Sequence, residues 1–327
     1  MSAQAEFAAL KRHLQSVIVG QEALLDKLMV AVLTGGHVLL EGPPGLAKTT
    51  AVKALAEGIH SSFQRIQFTP DLMPGDVVGS EVLDQDSGAL KFVHGPIFHD
   101  IVLADEINRA PPKVQSALLE AMAEKQVTAG GQTRTLPEMF LVLATQNPLE
   151  QNGTYPLPEA QLDRFMLHIM LDYPSPEEEL EILRRDRQRH FGEDHASLNT
   201  SLTPEQVMQA RHQVSEQYVS EQIEAYMVQL VTATRRLAEL DGDMAEVLQV
   251  GASPRASLAL LHASCAWAWL NGRDFVTPDD VQQMLPDVLR HRIILSFTAH
   301  ANGWDAEQII QRIIELVQIP VLDESRD

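Results

Sequence analysis

The stretch Glu41-Gly42-Pro43-Pro44-Gly45-Leu46-Ala47-Lys48-Thr49-Thr50 decides the fold. It follows the short apolar run His37-Val38-Leu39-Leu40, which reads as a buried strand. Ala51-Val52-Lys53-Ala54-Leu55-Ala56 comes after it and reads as the start of a helix. A strand, a Gly/Pro-bent loop and a helix N-terminus make a phosphate cradle. Backbone N–H groups converge on an anion there, and the helix dipole adds partial positive charge. In such a cradle Lys48 reaches the β- and γ-phosphates of a nucleotide, and the Thr49 hydroxyl ligates Mg2+. The expected nucleotide contacts are Gly42, Pro43, Pro44, Gly45, Leu46, Ala47, Lys48, Thr49 and Thr50. The general pattern asks for glycine just before the lysine, where this chain has Ala47.

Outward from the loop, residues 1–34 carry helical spacing, with Phe7, Leu10, Leu14 and Val17 on one face and a turn at Ile18-Val19-Gly20-Gln21-Glu22. From His37 onward strand candidates alternate with helical stretches, at 37–41, 64–68, 100–104, 140–144 and 166–171. This alternation predicts an α/β fold, a five-stranded parallel sheet with helices on both faces. Ile101-Val102-Leu103-Ala104 and Phe140-Leu141-Val142-Leu143-Ala144 are uninterrupted in apolarity, as doubly covered strands should be. Two stretches, about 81–93 and 126–136, read as inserted hairpins, each with short arms around a Gly-containing turn. The composition shifts at Asp172-Tyr173-Pro174-Ser175-Pro176-Glu177-Glu178-Glu179, where Ser175 suits an N-cap and Pro176 the first helical position. Thr203-Pro204, Ser253-Pro254 and Thr277-Pro278 repeat that signature. The expected division is a nucleotide-binding core over 1–173 and an all-α helical domain over 174–327. The last helix carries Ile309, Ile310, Ile313, Ile314 and Val317 as an apolar stripe, packed either within that domain or against a partner.

The chain has 327 residues, with 45 acidic against 25 basic side chains and a net charge of −20. That field repels nucleic acid and anionic lipid, and disfavours DNA or RNA as the primary substrate unless a basic pore forms in an oligomer. No apolar run approaches the ~18 residues of a membrane span, and residues 1–10 lack a signal-peptide pattern. The single cysteine, Cys265, excludes an intrachain disulfide and fits a reducing cytoplasm. The 12 histidines show no paired metal-ligand spacing.

The strand at 101–104 runs into Asp105-Glu106. Asp105 is positioned to hold Mg2+, directly or through water, and Glu106 to polarise the water that attacks the γ-phosphate. The next strand runs into Ala144-Thr145-Gln146-Asn147-Pro148. Asn147 therefore reaches the same sheet edge, where an amide either orients the water or touches the γ-phosphate. Arg164 ends Glu159-Ala160-Gln161-Leu162-Asp163 and faces away from its own loop. It is either an arginine finger on a neighbouring subunit or a local partner of Asp163 or Glu159. Arg255 sits in the first turn of a helix, where a cation is mildly unfavourable unless an anion approaches. It reads as a contact from the helical domain to the nucleotide, or else as an exposed accident.

Together these residues resemble the AAA+ ATPases, over most of the chain. Lys48 and Thr49 match Walker A, Asp105 and Glu106 Walker B, Asn147 sensor 1, Arg164 the arginine finger and Arg255 sensor 2. The wording is most similar to the MoxR family: Glu41 to Thr49 including Ala47, Phe68-Thr69-Pro70-Asp71-Leu72-Met73-Pro74-Gly75-Asp76, Ala104-Asp105-Glu106-Ile107-Asn108-Arg109-Ala110-Pro111-Pro112, and Thr154 to Phe165. The hairpins resemble the helix-2 insert and pre-sensor-1 hairpin of that clade. The resemblance implies ATP and Mg2+ as cofactors, with Val19 and Gly20 among the nucleotide contacts. It also implies a hexameric homo-oligomeric ring, a von Willebrand factor A domain partner, and chaperone-like maturation or cofactor insertion in a protein client. A magnesium-chelatase-like motor subunit, a DNA-processing AAA+ motor and a nucleotide-gated scaffold are the competing expectations.

Overall fold

The computed structural model describes residues 3–84, 88–148, 153–190 and 202–321. The turn of the first expected hairpin, 85–87, and residues 191–201 and 322–327 of the expected helical domain lie outside the described residues. The chain forms two compact units, one of Met1–Arg164 with Ile169–Ala210, the other of Phe165–His168 with Arg211–Asp327.

The first unit begins with helices α1 (Ala3–Val17) and α2 (Glu22–Thr34), followed by strand β1 (Val38–Glu41) and α3 (Lys48–Gly58). Then come β2 (Phe63–Gln67), α4 (Pro74–Val78), the antiparallel pair β3 (Gly79–Leu83) and β4 (Leu90–His94), β5 (Ile101–Asp105) and α5 (Pro112–Glu124). A second antiparallel pair, β6 (Gln126–Ala129) and β7 (Gln132–Thr135), precedes β8 (Leu141–Gln146), α6 (Glu159–Leu162), β9 (Leu167–Met170), α7 (Pro176–His190) and α8 (Pro204–Ser215). The five-stranded sheet has the order β2-β5-β8-β1-β9. Its pairs β2–β5, β5–β8 and β1–β8 are parallel. All five expected strands are present, and the arms of both expected hairpins pair antiparallel outside that sheet.

The sheet forms because its central strands are apolar from Ile101 to Ala104 and from Leu141 to Ala144. Every residue of β5 is buried, as are Leu141 to Thr145 of β8. Each fully buried Val, Ile or Leu there contributes about 1.5–3 kcal/mol. The non-sequential order carries β1, β5 and β8 into the middle and ends them at one edge, the binding edge of open α/β sheets.

Helix α7 begins as its sequence predicts: Glu178 N–H donates to Ser175 Oγ at 3.3 Å, and Ser175 N–H to the Glu178 carboxylate at 2.7 Å. The composition shift there and the division into units do not coincide. α7 groups with the first unit, where Arg185 Nη1 donates to the Gln15 and Ser16 carbonyls at 3.1 and 3.0 Å.

The second unit is mainly helical: α9 (Glu221–Ala233), α10 (Leu237–Leu240), α11 (Pro254–Leu270), α12 (Pro278–Leu289), α13 (Phe297–Ala301) and α14 (Ala306–Leu316), with β10 (Leu248–Val250) and β11 (Ile294–Leu295) between them. Ser253 and Thr277 cap α11 and α12 through their side chains, as expected. Ile309, Ile310, Ile313 and Val317 are buried, so the stripe of the last helix packs inward. The antiparallel β10–β11 pair corrects the all-helical expectation; strands of three and two residues are too short to show a period.

Candidate active site

The loop between β1 and α3 takes its shape from two unusual backbone positions. Gly45 has φ +86°, and a Cβ placed there meets nothing within 4 Å, so the loop stands open. Ala47 also has positive φ, 54° with ψ 20°, immediately before the first residue of α3. The general pattern has glycine here because this left-handed conformation costs an L-residue about 1–2 kcal/mol. Gly42 is required for a different reason: a Cβ would lie 2.8 Å from the Leu171 carbonyl oxygen. Lys48 Nζ donates to the Gly42 carbonyl at 2.7 Å. Burial pulls the Lys48 ammonium below its usual pKa, while Asp105, Glu106 and Glu41 push it back.

Those carboxylates mark the second half of the site. Asp105, the last residue of β5, is nearly buried. Its Oδ1 accepts from Thr145 Oγ1 at 2.5 Å, and its Oδ2 from Arg65 Nη2 and Nε at 2.6 and 2.9 Å. Glu106 follows in a left-handed conformation, φ 57°. Its N–H donates to Thr145 Oγ1 at 2.8 Å, so this one hydroxyl registers both acidic residues. The Glu106 carboxylate accepts from Gln67 Nε2 at 2.7 Å and from Arg109 Nη1 at 2.9 Å. A strained, over-tethered backbone at such a carboxylate is what a site that must hold or redirect it looks like. Asn147 is buried just beyond β8, at the same strand end as Thr145.

A cavity of about 380 Å3 opens beside the loop, lined by Ile18, Val19, Pro44, Leu46, Thr50, Tyr173 and Ile182 among others. Its apolar walls and open mouth suit a purine and ribose, while the loop offers the phosphate end. Val19 lines it. Gly20, at φ +72°, instead abuts Glu178, whose carboxyl carbon lies 2.6 Å from a would-be Cβ. Arg164 lines a different cavity, of about 490 Å3, with Ser116, Leu119, Glu120, Glu124, Gln126 and Gln161. Its Nη1 donates to the Leu119 carbonyl at 2.5 Å. Arg255 is exposed in the first turn of α11, in the second unit; its N–H donates to Ser253 Oγ at 3.2 Å.

The residues fit a nucleotide and a hard divalent cation. An open left-handed loop, an ammonium and an eleven-residue helix starting at Lys48 suit phosphates. The Asp105 carboxylate and Thr49 hydroxyl offer the oxygen donors that Mg2+ takes alongside phosphate oxygens.

Residues 37–167 match the ATPase family associated with various cellular activities, and residues 229–313 match the AAA lid domain. Chaperone MoxR1 of Mycobacterium tuberculosis is 44% identical over 309 residues, covering 94% of this chain and 81% of that protein. Protein MoxR of Methylorubrum extorquens is 32% identical over 304 residues, 88% of this chain and 87% of that one. The chain is a MoxR-family AAA+ ATPase. A crystal structure from Cytophaga hutchinsonii of a protein assigned as an ATPase superposes with a TM-score of 0.90 at 44% identity, over 98% of this chain and 96% of that one. In this MoxR-family ATPase, Arg65, Gln67 and Thr145 join the candidate site without having been anticipated from sequence, and Arg109 joins it through the local i,i+3 pair with Glu106. The signal available was two polar residues at alternate positions of β2 and a Thr two residues before Asn147. Their partners become visible only once β2 is known to lie beside β5, and β5 beside β8.

Proposed function

We propose that this ATPase binds ATP on the 42–50 loop and hydrolyses it at a composite site between copies of the chain. The cycle remodels or matures a protein client in the cytoplasm. The observation that carries this reading is the split arrangement. Lys48, Asp105, Glu106 and Asn147 belong to the loop and to strand ends at one sheet edge, whereas Arg164 lines a cavity that shares no lining residue with the one beside the loop.

In this reading Lys48 exchanges its Gly42 carbonyl for the β- and γ-phosphates. Mg2+, when bound, supplies Lewis-acid stabilisation of the phosphate oxygens, held by Asp105 and Thr49. Glu106, released from Gln67 and Arg109, accepts the proton of the attacking water, which the Asn147 amide orients. Arg164 of the adjacent copy leaves the Leu119 carbonyl and meets the charge that develops on the γ-phosphate. Arg255 touches the phosphates from the second, mainly helical unit, which moves as the nucleotide changes. The ring is hexameric, with a von Willebrand factor A domain protein as partner. The −20 charge disfavours nucleic acid as client, and the chaperone name of the M. tuberculosis relative supports a protein one.

A Glu106→Gln variant tests this. It should keep ATP bound while turnover falls by roughly 10^2 or more, and should capture the client and the von Willebrand factor A partner from a native extract in the presence of ATP. Capture that is equal with and without ATP would contradict nucleotide-gated engagement.

A further inference from the structure

Asp105 already holds a cation. Arg65 Nη2 and Nε both donate to its Oδ2, at 2.6 and 2.9 Å, and Thr145 takes Oδ1. Both oxygens of this carboxylate are therefore engaged, one of them by a guanidinium. The sheet enforces the pairing. β2 runs beside β5 with Arg65 opposite Leu103 and Gln67 opposite Asp105. Arg65 therefore reaches along the strand to the end of its neighbour.

The two partners differ in surroundings. The Asp105 side chain is 12% exposed and the Arg65 side chain 48%. The arginine can swing into solvent without becoming a buried charge, whereas the aspartate cannot leave. Arg65 Nη2 also donates to Gln67 Oε1 at 2.7 Å, a second partner on its own strand that remains when Asp105 is given up. A removable cation on a fixed carboxylate is the arrangement of a competitor.

We propose that Arg65 is a positioning residue of the ATPase reaction, an internal counter-cation on Asp105 that Mg2+ displaces on binding with nucleotide. The inference rests on the reading of Asp105 as the cation-bearing carboxylate given above. It predicts that Arg65 sets the Mg2+ concentration at which the site fills. Displaced, Arg65 would hand its charge toward Gln67, whose amide tethers Glu106, and so couple cation binding to the hydrolytic carboxylate.

The test is a Mg2+ titration of the full chain saturated with the fluorescent nucleotide mant-ADP. Arg65→Gln should fill at about two- to five-fold lower Mg2+ than wild type, the range expected for losing a half-exposed ion pair as competitor. Arg65→Lys, which keeps a cation but loses the two-nitrogen grip, should fall between them. It gives the same sign of shift if Arg65→Gln folds poorly. An unchanged midpoint, or one moved to higher Mg2+, overturns the proposal; the second result would make Arg65 a strut that merely orients Asp105. Lys48→Ala and Asp105→Asn separate this from the site reading itself. If Lys48→Ala binds mant-ADP as well as wild type, or Asp105→Asn leaves the Mg2+ midpoint unmoved, the assignment of the site fails and the inference with it.

Discussion

At the residue scale, Ala47 changes meaning between sequence and structure. As a letter it departs from the general phosphate-loop pattern; as a conformation, at φ 54°, it explains why glycine is the common choice. Alanine bears the left-handed penalty of about 1–2 kcal/mol, and glycine would give back about 0.5–1 kcal/mol in unfolded-chain entropy. Ala47→Gly should therefore raise stability by up to about 1 kcal/mol in denaturant melts. A clear loss would mean that the alanine methyl makes a contact that outweighs the backbone. Cys265 gives a second check at this scale. It is buried in α11, and burial pushes its thiol pKa up to about 11, with Asp280 adding to the shift. Reaction with a thiol reagent at pH 8 should be slow in the native protein and fast in urea. Rapid native labelling would contradict the buried placement.

At the element scale, the second unit holds the start of β9 with the segment after α12. His291 Nε2 donates to the Phe165 carbonyl at 2.9 Å. Arg292 donates to Phe165 and Met166, and Arg290 to His168. Burial, then the Arg292 charge and His168, hold the His291 imidazole well below its usual pKa, so it is neutral at physiological pH. The unfolded chain takes up this proton near pH 6.5 and the folded chain does not. Stability is thus present above that pH and lost as pH falls, by about 1.4 kcal/mol per unit for one proton, until the folded pKa is reached. Melting temperature should fall more steeply between pH 7 and 5 in wild type than in His291→Gln, which keeps a donor but cannot titrate. Parallel curves would show that His291 is not the group responsible. This clamp was not legible in the sequence, although β9 was. An apolar run announces a strand by itself, but Arg290-His291-Arg292 looks like any charged helix end until its partners, 122 to 127 residues away, are known. The same distinction divides the site. Lys48, Asp105, Glu106 and Asn147 follow from strand-then-loop wording, whereas Arg65, Gln67 and Thr145 depend on which strands are neighbours. The sheet order is non-sequential, so adjacency in the chain does not reveal it.

At the scale of the whole molecule, the proposed active site includes the neighbouring copy. The 42–50 loop borders one cavity of the first unit, and Arg164 lines another. A head-to-tail ring brings unlike surfaces together at every interface. The most direct test mixes two inactive variants and follows ATP turnover. Arg164→Ala keeps Glu106, and Glu106→Gln keeps Arg164. Each alone should turn over little, and an equimolar mixture should regain activity at the interfaces where an intact Glu106 meets an intact Arg164, about a quarter of them if the subunits assemble at random in a head-to-tail ring. Turnover that stays at the level of the separate variants, or an Arg164→Ala protein as active as wild type, would contradict a site shared between subunits.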